Sequence, residues 1–285
     1  MNKLPPERRA QILGMMVEGV GIRAISRMTG ASKNTVVKLL ADAGRAFSAY
    51  QDRALRGLKC QRIQVDEIWA FVYAKQKNVP KHMKERGDVG DVWTWTAIDA
   101  DSKLAVSWLV SDRTAAAAKE FMDDVASRLV RRIQLTSDGL ASYVPVVAEA
   151  FKNKVDYAQL TKVYGPEGTT VGTGRYSPPR CVGAKPEVVS GTPDPEHIST
   201  SYVERQNLNM RMSMRRFTRL TNAFSKKFEN HAYAVAIHFM YYNFVRIHQT
   251  TRVTPAMAAG VTDRLWELND LVRVIEGWEA AQKTA

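Results

Sequence analysis

Cysteine, histidine and long apolar runs are all scarce in this sequence of 285 residues. The two cysteines, Cys60 and Cys181, lie far apart and form no C-x-x-C pair, which argues against a disulfide framework and against a cysteine zinc site. The five histidines show no spacing typical of zinc ligands. With so few cysteines, we expect the protein to work in a reducing cytoplasm.

Neither a membrane span nor a signal peptide is predicted. The longest apolar run, from Ala232 to Val245, has 14 residues and includes His238, whereas a spanning helix needs about 20 apolar residues. The amino terminus has no hydrophobic signal core. We therefore expect no membrane partner.

Acidic residues are outnumbered, because 41 lysines and arginines stand against 29 aspartates and glutamates, for a net charge of +12. Residues 1–57 hold ten basic and four acidic side chains, and residues 199–252 hold nine basic and two acidic. These two segments contain the whole excess, and the rest of the chain is close to neutral. Such a surplus favours a polyanionic partner such as nucleic acid, although many basic proteins are merely soluble.

The first 57 residues have the periodicity of helices. Pro6 suits a helix start, a second helix is expected to end at Gly30, and Ser32 can cap a third, followed by a helical connector over 44–57. Two short helices joined by a glycine turn are typical of a helix-turn-helix motif, whose second helix enters the DNA major groove near its N-terminus. A three-helix bundle that contacts proteins is the alternative. In the DNA-binding interpretation four side chains face DNA: Lys33, Asn34, Thr35 and Lys38.

From Arg62 onward, β-branched and aromatic residues predict strands. The first is apolar on both alternating faces, which is typical of a central strand covered on both sides. The predicted order, β-β-β-α-β-α-β followed by helices, indicates an α/β protein with a mixed sheet and flanking helices. The predicted strands cover about 63–74, 93–98, 104–112, 132–139 and 155–165, and the helices between them cover 114–131 and 141–151.

A segment rich in glycine and proline, residues 165–198, is predicted to be a long loop inserted in the sheet domain. Its basic residues can follow a DNA backbone, and a plain disordered surface loop is an equally good interpretation. Helices are predicted from Ser199 to about Val245 and from about Pro255 onward. The chain is thus divided into 1–57, 58–252 and 253–285, and the basic residues of the loop are Arg175, Arg180 and Lys185.

Three carboxylates are candidates for chemistry. Asp66 lies inside an apolar strand, where an ionised carboxylate is costly unless it binds a metal or pairs with a distant arginine. Asp138 ends the fourth strand, although Asp-Gly is also a common turn pair. Glu204 is near the start of a later helix, where Ser201-x-x-Glu204 also fits a capping box. Each is weak evidence alone, and together they form one constellation.

The runs VDE, TSDG and YVERQN, in this order after a predicted helix-turn-helix, resemble the DDE transposases of bacterial insertion sequences. The similarity extends to FVRIHQTTRVTPAMAAG further on. It implies a ribonuclease H-like fold, shared with retroviral integrases, and it assigns Asp66, Asp138 and Glu204 as catalytic metal ligands. Glu204 lies 66 positions after Asp138, which exceeds the spacing in many relatives, and the Gly/Pro-rich segment absorbs the difference.

The resemblance implies a reaction with two Mg²⁺ ions, for which Mn²⁺ can substitute. Water first frees a 3′-OH at the end of a DNA element, and the 3′-OH then attacks target DNA. Double-stranded DNA is the expected partner. A dimer or higher assembly is expected because two DNA ends must be held together. The expected location is the bacterial cytoplasm, at the nucleoid. The family pattern puts a basic residue seven positions after the glutamate, and the expected DNA contacts of this region are Arg205, Asn207, Arg211 and Arg215, with a solvated helix face as the alternative.

Other interpretations remain open at this stage. A nuclease of the same fold would cut DNA without joining it, and a DNA-binding regulator derived from a transposase would bind without cutting. Glu67 is expected to point to the face of the strand opposite Asp66 and therefore to stay away from the ions. Asp99 and Asp101 form a turn and are the best alternative candidates for the second carboxylate.

Overall fold

One mixed sheet lies at the centre of the computed structural model, which describes residues 3–165, 181–218 and 222–284. Its strands are β1 (Arg62–Val72), β2 (Gly90–Asp99), β3 (Ala105–Ser111), β4 (Gln134–Ser137), β5 (Asp156–Tyr164) and β6 (Cys181–Ser190). Their order is β3-β2-β1-β4-β5-β6. The pairs β1–β4 and β4–β5 are parallel, whereas β1–β2, β2–β3 and β5–β6 are antiparallel. The predicted α/β class with a mixed sheet and flanking helices is confirmed.

Helices cover the sheet and extend beyond it. None of those in the described residues is long and apolar enough to cross a bilayer. They are α1 (Pro6–Val17), α2 (Ile22–Thr29), α3 (Lys33–Ala54), α4 (Ala115–Arg128), α5 (Tyr143–Ala150), α6 (Ser201–Ser213), α7 (Phe228–Phe244), α8 (Pro255–Ala258) and α9 (Leu268–Thr284).

Strand β1 is covered on both faces, as the apolar residues on both of its alternating faces predict. Residues Ile68 and Ala70 belong to a core formed with α6 and α7. Residues Ile63 and Val65, on the alternate face, belong to a second core with α4 and α5. In that core, the indole of Trp95 on β2 packs against Phe121 and Tyr143 at centroid distances of 5.9 and 5.7 Å. Because α7 contributes to both cores, it is apolar on nearly all sides.

The N-terminal helices follow the local signals closely. Gly30 ends α2 in the left-handed conformation with φ of 68°, which glycine adopts without a Cβ penalty. The Ser32 hydroxyl accepts a hydrogen bond from the Thr35 N–H, as predicted for a cap. The predicted connector over 44–57 is instead the continuation of α3, which runs unbroken to Ala54. α3 packs against α7 and α9, and α1 packs against α9.

Two predictions of regular structure were wrong. The segment 165–198 was expected to be a loop, but β6 lies within it and pairs with β5 at the sheet edge. Most of its side chains are exposed, so the strand shows no alternation of apolar and polar residues. The later helical region is also divided, because α6 ends at Ser213 and α7 begins at Phe228, while α8 and α9 are separate helices. Of the three basic residues noted there, Lys185 lies on exposed β6, and Arg175 and Arg180 lie outside the described residues.

Candidate metal and DNA site

Asp66 is half-buried near the middle of β1, facing α6. One carboxylate oxygen accepts a hydrogen bond from the Glu67 N–H at 2.9 Å, and the other accepts one from the Asn207 amide on α6 at 2.8 Å. No cation within hydrogen-bond distance neutralises it among the described residues. The alternative that Asp66 pairs with a distant arginine therefore has no support in the structure.

Asp138 follows the last residue of β4, next to β1. Val65 pairs with Ser137 in the parallel register, so Asp66 and Asp138 continue two neighbouring strands in the same direction. One Asp138 oxygen accepts a hydrogen bond from the Leu140 N–H at 3.0 Å, so the residue also stabilises the turn that its sequence indicated. The turn and the carboxylate cluster are therefore compatible roles.

Glu67 lies close to both aspartates, contrary to the expectation that it stays away from the site. It occupies the opposite face of β1, but ligand oxygens of Asp66, Glu67 and Asp138 all lie within 4.8 Å of one another. The cause is the end of β4 at Ser137: beyond that point no neighbouring strand separates the two faces on this side of β1. Alternation predicts the face of a side chain and does not predict where the adjacent strand stops.

Burial and crowding of like charges make this cluster electrostatically unfavourable. Burial raises the pKa of Asp66 to about 6, and the negative charges of Asp138 and Glu204 contribute to the rise. Burial raises the pKa of Glu67 to about 8, with further contributions from Asp138 and Asp66 and an opposing one from Arg113. Perturbation of this kind is found where a site needs a cation or a proton. Oxygen ligands in this arrangement suit a hard divalent cation such as Mg²⁺ or Mn²⁺.

Arg113 lies beside the cluster. Its guanidinium lies 3.7 Å from a Glu67 oxygen and 3.9 Å from an Asp138 oxygen, which are ion-pair distances and too long for hydrogen bonds. The guanidinium is also 4.7 Å from the ring centroid of Trp93. Arg113 follows β3 in the connection to α4, and nothing in its local sequence predicted a place at this site.

Glu204 lies in the first turn of α6, close enough to influence the pKa of Asp66. Its carboxylate pairs with Lys162 on β5, and it also accepts a hydrogen bond from the Thr200 hydroxyl at 2.5 Å. The predicted capping box does not form, because α6 begins after Thr200 and makes no side-chain cap bond. The structure thus brings Glu204 beside the aspartates with both oxygens engaged by protein groups.

Two buried amides hold α6 against β1 and α7. The Gln64 side-chain oxygen on β1 accepts hydrogen bonds from the N–H groups of Tyr202 and Val203, at 2.8 and 3.2 Å. One turn further, the Gln206 amide contacts the His238 ring nitrogen at 3.0 Å. These contacts fix the turn that carries Glu204 and Asn207. Sequence reasoning missed Gln64, although a buried glutamine in an apolar strand is itself a signal that it satisfies another backbone.

The residues expected to contact DNA occupy different environments. Asn207 is buried, and its amide donates to Asp66 rather than facing outward. Lys38 is exposed and pairs with Asp42, and the Thr35 hydroxyl is hydrogen-bonded to Ser32. The others expose their side chains on α3, on α6 or directly after α6: Lys33, Asn34, Arg205, Arg211 and Arg215.

A basic groove with a volume of about 840 Å³ lies between the N-terminus of α3 and the connection from α6 to α7. Lys33 and Asn34 line one side and Arg215 lines the other, so residues far apart in sequence share one surface. No acidic side chain is found among the described residues that line it. Its remaining charged residues are Arg23, Arg216, Lys226 and Lys227.

Compared with models of protein families and with curated protein sequences, the chain gave no match.

Proposed function

We propose that the protein is a DNA transposase that cleaves at the ends of a DNA element and joins the freed 3′-OH to target DNA. The observation that carries the proposal is the convergence of Asp66, within β1, and Asp138, directly after the parallel neighbour β4, with Glu204 on α6 within electrostatic range of Asp66. The element order β-β-β-α-β-α-β and the mixed open sheet are compatible with the ribonuclease H-like fold that the sequence resemblance implies.

The residues fit a divalent metal centre. Asp66 and Asp138 supply close carboxylate oxygens, and Glu204 is near enough to contribute to the raised pKa of Asp66. Burial and neighbouring carboxylates raise the pKa of Asp66 more than its two hydrogen bonds lower it, so a bound cation would stabilise the ionised form. When bound, two Mg²⁺ ions activate an attacking oxygen and stabilise the leaving oxygen of an in-line phosphoryl transfer. Asn207 holds Asp66, and Gln64 holds the start of α6, so that the ligands are oriented before a metal arrives.

The basic groove supports double-stranded DNA as the partner. Cations without interspersed carboxylates are suited to contacts with a phosphate backbone. The exposed N-terminus of α3, with Lys33 and Asn34, matches the expected position of a recognition helix in a helix-turn-helix motif. We further propose that two or more copies act together on DNA, because joining requires both element ends in one complex.

The decisive experiment measures cleavage and joining separately. Purified protein is mixed with Mg²⁺ or Mn²⁺, an end-labelled duplex from the DNA that flanks its own coding sequence, and a supercoiled target plasmid. Wild type is expected to cut the duplex and to transfer label to the plasmid. Asp66→Asn and Asp138→Asn are expected to do neither while still binding the duplex. Asp101→Asn is the matched control. Asp101 is a surface carboxylate on the turn between β2 and β3, and it pairs with Arg62 at the start of β1.

Each rival function has a distinct outcome in the same assay. Cleavage without label transfer identifies a nuclease. Metal-independent binding without any cleavage identifies a DNA-binding regulator. Cleavage by Asp66→Asn at the wild-type rate would overturn the metal mechanism itself.

A further inference from the structure

Glu67 carries a buried oxygen without a hydrogen-bond partner. Its side chain is 1% exposed, and Oε1 has no partner among the described residues. Its other oxygen lies 3.7 Å from Arg113, a distance that gives electrostatic attraction without a hydrogen bond. A buried carboxylate left in this state costs several kcal/mol on general grounds. Such a group is stabilised when it takes up a proton or binds a cation.

The unpartnered carboxylate is directed into the acidic cluster. An oxygen of Glu67 lies within 4.8 Å of oxygens of Asp66 and Asp138, so one cation can contact all three groups. Asp138 approaches from the end of β4, between the two faces of β1 that carry Asp66 and Glu67.

Glu204 is differently placed in the same structure. Lys162 and the Thr200 hydroxyl engage its two oxygens, so its carboxylate must exchange a protein contact before it can bind a metal. Glu67 has no hydrogen bond of this kind to give up. Among the described residues, Glu67 is thus the carboxylate that forms a close group with Asp66 and Asp138.

We propose that Glu67 is a metal ligand, which binds a divalent cation together with Asp66 and Asp138 before DNA is present. This inference rests on the metal site of the proposed function. In this arrangement Glu204 remains with Lys162 in the DNA-free protein and is not needed for the first ion. Arg113 competes with that ion for Glu67 and Asp138.

The test is a titration of the full chain with Mn²⁺ in the absence of DNA. Electron paramagnetic resonance measures the free Mn²⁺ at each step and so gives the affinity. Glu67→Gln preserves the size of the side chain and is expected to weaken Mn²⁺ affinity at least about tenfold. Glu204→Gln is expected to change it by less than about threefold. Asp66→Asn is expected to abolish binding, and circular dichroism verifies the fold of each variant.

The outcomes separate this inference from the proposed function. If Asp66→Asn abolishes binding and Glu67→Gln binds Mn²⁺ like wild type, Glu67 is only the structural partner of Arg113 and the inference fails alone. If Asp66→Asn also binds like wild type, the metal site fails as a whole. A larger loss in Glu204→Gln than in Glu67→Gln would likewise overturn the assignment.

A second variant keeps the inference testable if Glu67→Gln does not fold. Arg113→Gln leaves the carboxylates intact and removes their competing cation. If Glu67 is a ligand, this change is expected to strengthen Mn²⁺ affinity a few-fold. Unchanged or weaker affinity in Arg113→Gln would contradict the proposed competition and the ligand role with it.

Discussion

At the scale of single residues, Asp66 is held in a place that disfavours its charge. Two donors, the Glu67 N–H and the Asn207 amide, orient it, yet burial and neighbouring carboxylates still raise its pKa to about 6. Orientation and destabilisation therefore occur together. If the proposed metal binds here, the same arrangement that destabilises the metal-free protein favours the cation.

Asp66→Asn is expected to stabilise the metal-free protein at neutral pH. An acid whose pKa is raised in the folded state destabilises the fold once it ionises, so this cost is absent below about pH 4, grows with pH, and is complete above about pH 6. The gain in free energy of unfolding should be on the order of 1–3 kcal/mol at pH 7.5. Urea denaturation in EDTA at pH 4 and pH 7.5 measures it.

Asp101→Asn is the control for that comparison, because Asp101 lies on the surface beside Arg62. It should show no stabilisation that grows with pH. Saturating Mn²⁺ should reverse the order of wild type and Asp66→Asn, since only wild type gains binding energy. If metal-free Asp66→Asn is less stable than wild type at pH 7.5, the two hydrogen bonds that Asp66 accepts stabilise the fold by more than its buried charge destabilises it.

The residues of the site differ in how well sequence could predict them. Asp66 and Asp138 were identified as candidates because the strands that carry them could be predicted and because their order along the chain, followed by Glu204, fits one set of metal ligands. Glu67 was misplaced because alternation gives a face, whereas its proximity depends on the end of β4 at Ser137. Lys162 and Arg113 could not be predicted, because their contacts require the register of β5 and the path after β3.

At the scale of elements, the contact between α3 and α7 depends on the absence of a side chain at Gly44. A Cβ there would lie 2.5 Å from Cγ of Tyr233 on α7, which is closer than packed carbon atoms tolerate. Glycine ordinarily weakens a helix interior relative to alanine by about 1 kcal/mol. At this position the close approach of two helices has the larger effect.

Gly44→Ala is accordingly expected to destabilise the protein by roughly 1–3 kcal/mol, opposite in sign to helix propensity. Gly277 in α9 supplies the matched control, because nothing lies within 4 Å of a Cβ built there. Gly277→Ala should stabilise by about 0.5–1 kcal/mol. Thermal denaturation of the two variants compares them directly. Stabilisation by both alanines would mean that α3 and α7 separate easily.

The contact between α6 and α7 predicts sensitivity to acid. Burial lowers the pKa of His238 to about 3, so the folded protein keeps this ring neutral beside Gln206. The unfolded chain takes up its proton near pH 6.5, and stability is therefore lost as pH falls from about 6.5 towards 3. At pH 5 the loss from this group is about 2 kcal/mol.

His238→Gln is expected to reduce that loss in urea unfolding measured at pH 7.5 and pH 5, even though its stability at pH 7.5 falls through lost packing. His197, which is exposed, provides the control. His197→Gln should retain the wild-type dependence on pH. An unchanged dependence in His238→Gln would assign the acid sensitivity to other groups, of which buried His231 is the first to examine.

Elements were predictable where local chemistry decides them. Pro6, Gly30 and Ser32 mark helix ends that the structure reproduces. The apolar residues of β1 predicted a central strand, and β1 lies inside the sheet between β2 and β4. β6 was missed because an exposed edge strand buries neither face and has no pattern for sequence to show. The break between α6 and α7 was missed because apolar residues continue across it to satisfy a core formed by distant elements.

At the scale of the whole molecule, the positive charge is arranged as a surface shared by distant segments. The groove joins the N-terminus of α3 to Lys226 and Lys227 before α7. Neither segment alone forms it. Basic residues from both positively charged segments, 1–57 and 199–252, thus line one groove.

Changing Lys226 and Lys227 together to glutamine is expected to weaken duplex binding at low salt and to flatten its dependence on salt. Each lost phosphate contact reduces the slope of log affinity against log salt by about 0.9, so the double change predicts a decrease of up to about 1.8. Fluorescence anisotropy of a labelled duplex at several salt concentrations measures the slope.

The control for this charge change is the pair Lys152 and Lys154, which are exposed on the turn after α5 and do not line the groove. Glutamine at both positions removes the same charge and should leave the slope within about 0.3 of wild type. Equal effects of the two double changes would indicate that net charge, rather than the groove, determines binding.

The packing of α1 on α9 has a consequence for the timing of synthesis. Arg9, almost completely buried, pairs with Glu276 and Glu279, and the hydrogen bond to Glu279 joins residues separated by 270 positions. A ribosome that adds 5–20 residues per second needs on the order of 10–50 s to cover that interval. During this time the newly made α1 lacks the helix that buries it. The N-terminal helices therefore gain their final support only when translation of α9 is complete, which places final assembly of the basic groove after synthesis of the carboxylate site.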